Sequence, residues 1–221
     1  MKSNESYASL VEMLKQFREE KKQADYIRPS LLPNIDLYMD QVTTFMDEHL
    51  QNSKRYEDDK ILTKTMINNY AKNNLLPAPE KKKYTKDHLL LLTFIYYYKN
   101  FLSINDIQTL LKPITQKYFK TTGDVKLENV YSCIFDDIVK QTDGIIDDME
   151  AKLKSSKESF REFPEDDQEL LVLFDFMSTL SYDIYLKKQI VERIIDKMYE
   201  HEQALLKEQN DKKKHKKEKS E

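Results

Sequence analysis

Between Thr63 and Lys72 the chain reads TKTMINNYAK, with its polar residues at helical spacing. Leu62, Met66, Ile67 and Tyr70 share one arc. Thr65, Asn68 and Lys72 therefore occupy the opposite face, with Lys64 and Asn69 at its margins. These side chains suit a polyanion that also carries information. An Asn amide offers a donor and an acceptor in one plane and can pair bidentately with adenine, while a Lys ammonium neutralises phosphate. The run Lys81, Lys82, Lys83 adds three cations in the gap between this stretch and a leucine-rich one. A polar face and a lysine run are also what ordinary solvated surface looks like, so position has to decide between the readings.

The flanking signals place these residues on defined elements. Thr63 is suited to cap the helix, and Asn74 can end it in the left-handed conformation with Leu75 and Leu76 packing back. Pro77 and Pro79 then prevent continuation. Thr85 is expected to cap a helix through Lys99 whose core, LLLLTFIYYY, is apolar on nearly all sides and so central to its domain. Ser103 and Asp106 have the spacing of a capping box for a helix expected to stop near Pro113. Upstream, Asp36 is the expected N-cap of a helix to about Leu50 that buries Leu37, Met39, Val42, Phe45 and Met46, and Gln51 to Lys60 is loop by composition. Ser6 to Gln23 reads as an amphipathic helix with Tyr7, Leu10, Val11, Leu14 and Phe17 on one face.

Beyond Asp124 the spacing of Leu127, Tyr131, Ile134, Ile138, Ile145, Met149 and Leu153 predicts a long helix, with Gly144 as a kink point. KESFREFPEDD reads as a linker, and a last helix is expected from Gln168 to about Gln209. Its later stripe, Ile184, Val191, Ile195, Met198 and Leu205, suits either a homodimer or return packing on the preceding long helix. The tail DKKKHKKEKSE is too charged to pack and is expected to be disordered.

Composition bounds the function. With 221 residues but only two glycines and six prolines, the chain is expected to be almost wholly helical. Cys133 is the only cysteine, which excludes an internal disulfide and a cysteine-rich zinc site; on an apolar stripe it is expected to be a buried inert thiol. The charged N-terminus and the short apolar run Leu89 to Tyr98 predict neither signal peptide nor membrane span, hence a cytoplasmic protein. His49, His88, His201 and His215 lack metal-ligand spacing, and two isolated glycines cannot build a phosphate-binding loop. The acidic pairs around Asp136 and Asp147 read as solvated surface. No metal, cofactor or catalytic constellation is expected. The net charge of -3 is uneven, with residues 52–115 at +5 and 116–211 at -9, so positive charge gathers on the segment that carries the polar helix.

From Thr63 onward, TKTMINNYAKNNLLP, the lysine-rich gap, YTKDHLLLL and FLSINDIQTLL resemble the MerR family of bacterial transcription regulators in content and order. The stretch beginning LPNIDLYMDQVTTFMDEHL is also similar to a family of low-GC Gram-positive bacteria catalogued as a domain of unknown function and assumed to bind DNA through its MerR likeness. The MerR resemblance implies a winged helix-turn-helix. It puts base contacts on Thr65, Asn68 and Asn69, the helix start on Thr63 and Lys64, wing contacts on Lys81 to Lys83, and the tyrosine at the wing's end on Tyr84. Lys72 and Lys86 complete the expected DNA-binding set. The chain departs from the family in having NNYA for Arg-Tyr-Tyr-Glu, a short wing without Gly-Tyr-Arg, and a polar loop for the tight turn before the recognition helix.

The resulting expectation is an all-α fold with β structure confined to the wing: residues 1–35 an N-terminal helix and linker, 36–115 a MerR-like DNA-binding domain, 116–211 a helical association region, and 212–221 a basic tail. The expected function is sequence-specific binding of double-stranded DNA in transcription control by a non-enzymatic homodimer, with any small-molecule effector unspecified. The alternative is a helical adaptor or scaffold that has lost DNA binding.

Overall fold

A computed structural model describes residues 3–22 and 26–218. Its elements are α1 (Ser3–Lys22), β1 (Leu37–Tyr38), α2 (Met39–Leu50), α3 (Lys64–Lys72), β2 (Lys83–Tyr84), α4 (Lys86–Tyr98), α5 (Ile104–Tyr118), α6 (Leu127–Ser159) and α7 (Glu165–Glu218), with short 3-10 turns at Pro29–Leu31 and Gln51–Ser53. Among the described residues the only sheet is the antiparallel pair β1–β2, with Leu37 opposite Tyr84 and Tyr38 opposite Lys83. The chain is mostly helical, as its glycine-poor composition implies.

α4 is the axis of the larger core. Every residue from His88 to Tyr96 is buried, so the helix that is apolar all round is surrounded all round. Against it pack Val42 and Met46 of α2, Ile67 and Tyr70 of α3, Ile107 and Leu111 of α5, and Leu127, Tyr131 and Phe135 of α6. This core reaches past the expected 36–115 boundary at both ends. Ile27 is buried, and the Tyr131 hydroxyl donates to its carbonyl at 2.8 Å in the interior. The start of α6 therefore belongs to the same body as α2 to α5.

Within α2 to α5, two helix limits differ from expectation. Asp36 does not cap α2, because Leu37 and Tyr38 are extended and paired with β2; the helix begins at Met39, and the Tyr38 N–H donates to the Gln41 side chain at 2.9 Å. α5 does not stop at Pro113 but continues to Tyr118. A proline inside a helix costs about 3 kcal/mol. Packing of Ile114 and Tyr118 on the core beyond it offsets that cost.

The second core joins α1, α6 and α7 through Leu14, Leu153, Val172 and Phe176, with Tyr7, Leu10, Val11 and Met149 around them. This supplies the partner of α1. Arg18 meets the acidic side of α6, with ion pairs to Asp147 at 2.7 Å, Glu150 at 3.1 Å and Asp143 at 3.5 Å. Gln23, the expected end of α1, lies outside the described residues.

On α6 the buried row is Leu127, Tyr131, Phe135, Ile146 and Leu153, whereas Ile134, Ile138 and Ile145 of the expected stripe are exposed. Cys133 is exposed and not the buried thiol expected, since it lies two residues from both Tyr131 and Phe135 and so off the buried row. The helix runs unbroken through Gly144. α7 is longer than expected at both ends: it starts at Glu165 inside the expected linker and carries residues 212–218 of the expected disordered tail, while 219–221 lie outside the described residues. It crosses both cores, with Val172 and Phe176 in the smaller and Ile195 in the larger. No helix of the described residues is long and apolar enough to cross a membrane.

Candidate nucleic-acid interface

α3 is defined at both ends by its own sequence. The Thr63 hydroxyl accepts the Met66 N–H at 3.2 Å as an N-cap. At the exit Asn74 has φ 55°, the Leu75 N–H returns to the Tyr70 carbonyl at 2.9 Å, and the Asn74 N–H returns to Ala71 at 3.2 Å. That pair of bonds is a Schellman motif, and it turns Leu75 and Leu76 into the core. A further tie comes from α5, where the Gln108 amide donates to the Asn73 carbonyl at 3.0 Å. With Ile67 and Tyr70 buried, Thr65, Asn68, Asn69 and Lys72 are exposed. Among the described residues their side chains make no hydrogen bond or ion pair.

The lysine run forms the tip of the short hairpin that leads into β2. Lys81 and Lys82 have φ of 49° and 63°, and the Lys83 N–H donates to the Glu80 carbonyl at 2.8 Å. Positive φ at both central residues is the signature of a type I′ turn, whose twist suits a two-residue hairpin and which normally takes Asn-Gly. Here both positions hold lysine, an arrangement that costs roughly 1–2 kcal/mol for each non-glycine residue in the left-handed region. The turn exposes both side chains. Lys83 is exposed as well, with its ammonium 5.6 Å from the centre of the Tyr38 ring.

Three members of the expected DNA-binding set are placed otherwise. Tyr84 is buried in the core, where β2 pairing with Leu37 turns its ring inward, and burial pushes its phenol pKa up. Lys86 is half-buried and paired with Glu128 of α6 at 2.9 Å. Lys64 is exposed, but its ammonium is paired with Asp40 of α2. Tyr84 and Lys86 thus hold the lysine hairpin to the larger core, and Lys64 holds α3 to α2. Thr63 is engaged in its cap. Thr65, Asn68, Asn69, Lys72 and Lys81 to Lys83 remain available.

Two positioning residues escape the sequence pattern. His88 is fully buried at the first turn of α4, where its Nδ1 accepts the Thr85 N–H at 3.0 Å and lies 2.8 Å from the Thr85 hydroxyl. It fills the capping-box place usually held by Glu or Gln, so its three-residue spacing from Thr85 was the available signal. Tyr84 and Phe119 meet the imidazole edge-on, at centroid distances of 5.4 and 4.8 Å. Burial first, then the charge of Lys120, lowers its pKa to about 4; the carbonyls of Pro77 and Ala78 and the charge of Asp36 offset only part of this. The second residue is Lys120 itself, with φ 50°, which contacts both Glu80 at the lysine hairpin and Asp87 of α4. No local pattern marks it.

The unit that carries these features has a counterpart among known families. Residues 27–134 match the family model described as a domain of unknown function, DUF1836. The match begins at Ile27, which accepts the Tyr131 hydroxyl, and ends within α6 beside Phe135, so it covers nearly all of the larger core. α1 and α7 lie outside it. No curated protein and no solved structure matches the chain.

Proposed function

We propose that the DUF1836 region binds double-stranded DNA as a sequence-specific, MerR-like transcription regulator. α3 serves as the recognition helix and the Lys81–Lys82 turn as the wing. The observation that carries this reading is the pairing of an unengaged polar face on α3 with a strained lysine turn. Lysine in place of Asn-Gly at a type I′ tip lowers stability, so its presence there points to a role for the two charges. Asn68 and Asn69 are the base readers in this scheme, Thr65 contributes a hydroxyl, and Lys72, Lys81, Lys82 and Lys83 contact phosphate. No enzymatic role is assigned.

A helix face that spans a few base pairs gains specificity by being presented twice. We therefore assign self-association to α7, on a face that shares only Ile184 with the stripe its sequence suggests. Val191 and Ile195 pack on the larger core, while Met198 and Leu205 line a groove against α5. The exposed apolar row is Leu170, Phe174, Met177 and Ile184. The same row is the observation that favours the second reading, a protein-binding adaptor without DNA affinity.

A gel shift over genomic fragments at several salt concentrations, run alongside light scattering, separates the two. Salt-sensitive retention by a doubled mass supports the regulator; a complete lack of retention at low salt leaves the adaptor.

A further inference from the structure

The apolar row on the first half of α7 has a built-in direction. Leu170, Phe174, Met177 and Ile184 are between 58% and 69% exposed, and none of them joins either core. With Ser181 they recur at alternating spacings of four and three residues, which lays them along one helix face. A contiguous exposed row of large apolar side chains marks an interaction site. Ser181 does not interrupt it, because its hydroxyl donates to the Met177 carbonyl of its own helix at 2.7 Å and can be covered without losing a partner.

The two ends of the row are unlike. Asp166 and Asp167 stand exposed at its start and make no ion pair among the described residues, whereas Lys188 occupies the next stripe position past Ile184 and is met by Glu192 of its own helix. Two copies laid side by side in the same direction would set these acids against themselves, Lys188 against Lys188 and Ser181 against Ser181. Reversal removes all three conflicts. The acidic start of one row then meets the Lys188 end of the other, Phe174 of one copy meets Ile184 of the other, and Met177 fills the space beside Ser181. Lys188 keeps Glu192 as its partner, so the preference comes from separating the acids and not from a new ion pair. We propose, on the reading that α7 self-associates, that the row is covered by a second copy of this chain running antiparallel, with the two-fold axis near Thr179. A surface that complements itself on reversal is what an isologous pair requires. Ile195, where α7 joins the larger core, lies about 24 Å along the helix from Thr179, so the two larger cores join the seam at opposite ends, about 48 Å apart.

Light scattering of the native chain, with spin-label distances in the full chain carrying Cys133→Ser, tests this without DNA. A mass twice that of the 26.5 kDa chain is expected at micromolar concentration. Met177→Glu, a change at an exposed position, should return the chain to a monomer with unchanged helix content. A label on Asp167→Cys, at the end of the row, should lie about 36 Å from its counterpart along the seam. Copies running in the same direction would instead hold these labels at roughly 20 Å or less, the spacing of packed helices plus the label arms. A label on Ser178→Cys, close to the axis, should give the short distance. A monomeric native chain overturns the pairing, as does a Met177→Glu variant of undiminished mass, and a distant pair of labels at position 178 overturns the placement of the axis. A doubled mass with the labels at position 167 close together overturns the antiparallel orientation and leaves the assignment of self-association to α7 standing.

Discussion

The Lys120 ammonium reaches the Glu80 carboxylate at 2.5 Å, while the Lys120 backbone N–H donates to Asp87 at 2.7 Å. One residue between α5 and α6 thus holds the base of the lysine hairpin and the first turn of α4 together. The ammonium also keeps the Glu80 carboxyl below the usual carboxylate range. The direction in which the hairpin projects its lysines therefore depends on a contact made far along the chain.

This junction has a backbone component that can be measured separately. Lys120 sits at φ 50°, a region that glycine adopts freely and alanine does not. Lys120→Ala and Lys120→Gly both lose the Glu80 contact, so their difference isolates the backbone. Urea unfolding should find the glycine variant more stable by about 1 kcal/mol. Equal stabilities would mean that the left-handed conformation at this position relaxes on substitution.

The Lys81–Lys82 turn should trade stability against the proposed DNA binding. Replacing Lys81-Lys82 by Asn-Gly supplies the residues a type I′ turn prefers, and should raise the unfolding free energy by about 1 kcal/mol. The same change removes two exposed cations and should reduce DNA affinity. A variant that is more stable and binds equally well would remove the wing from the interface.

Local signals were legible and long-range ones were not. Thr63, Asn74 and the Ser103–Asp106 box act through residues within a few positions, and the sequence reading and the structure agree on them. Leu37 reads as the first turn of a helix because its partner, Tyr84, is 47 positions away, and a two-residue ladder leaves no periodicity. The buried face of α6 differs from expectation for a related reason. Ile134 and Ile138 fit a helical period as well as Tyr131 and Phe135 do, and only the position of α4 and Tyr26 decides which row is buried. At the candidate interface, the α3 face could be read from its spacing, but the diversion of Lys86 to Glu128 and of Lys64 to Asp40 required the tertiary neighbours.

On the proposed DNA-binding reading those diversions leave Lys72 and Lys81 to Lys83, about four cations, to contact phosphate, so log K should fall with log salt at a slope near -3.6 for duplex DNA. Replacing Lys81, Lys82 and Lys83 together with alanine should weaken binding to all sequences alike and make the slope shallower by about 2.7. Asn68→Ala should act differently, relaxing preference at one position by ~1–3 kcal/mol with little change in slope. An unchanged site profile for Asn68→Ala would exclude it as a base reader.

His88 predicts an acid sensitivity of the folded domain. Its folded pKa is about 4, against about 6.5 for an exposed histidine. Between these values the unfolded chain binds a proton that the folded chain refuses. The stabilising contribution is complete above pH 6.5 and is lost as pH falls toward 4, with a total on the order of 3 kcal/mol for so deeply buried a ring. Protonation would also take away the Nδ1 lone pair that accepts the Thr85 N–H, breaking the cap as well as charging the core. His88→Gln keeps a side chain able to accept that N–H but cannot titrate. Unfolding free energies measured from pH 7 to 4 should decline less steeply in the variant than in the native chain, and parallel declines would assign the acid sensitivity to the carboxylates instead.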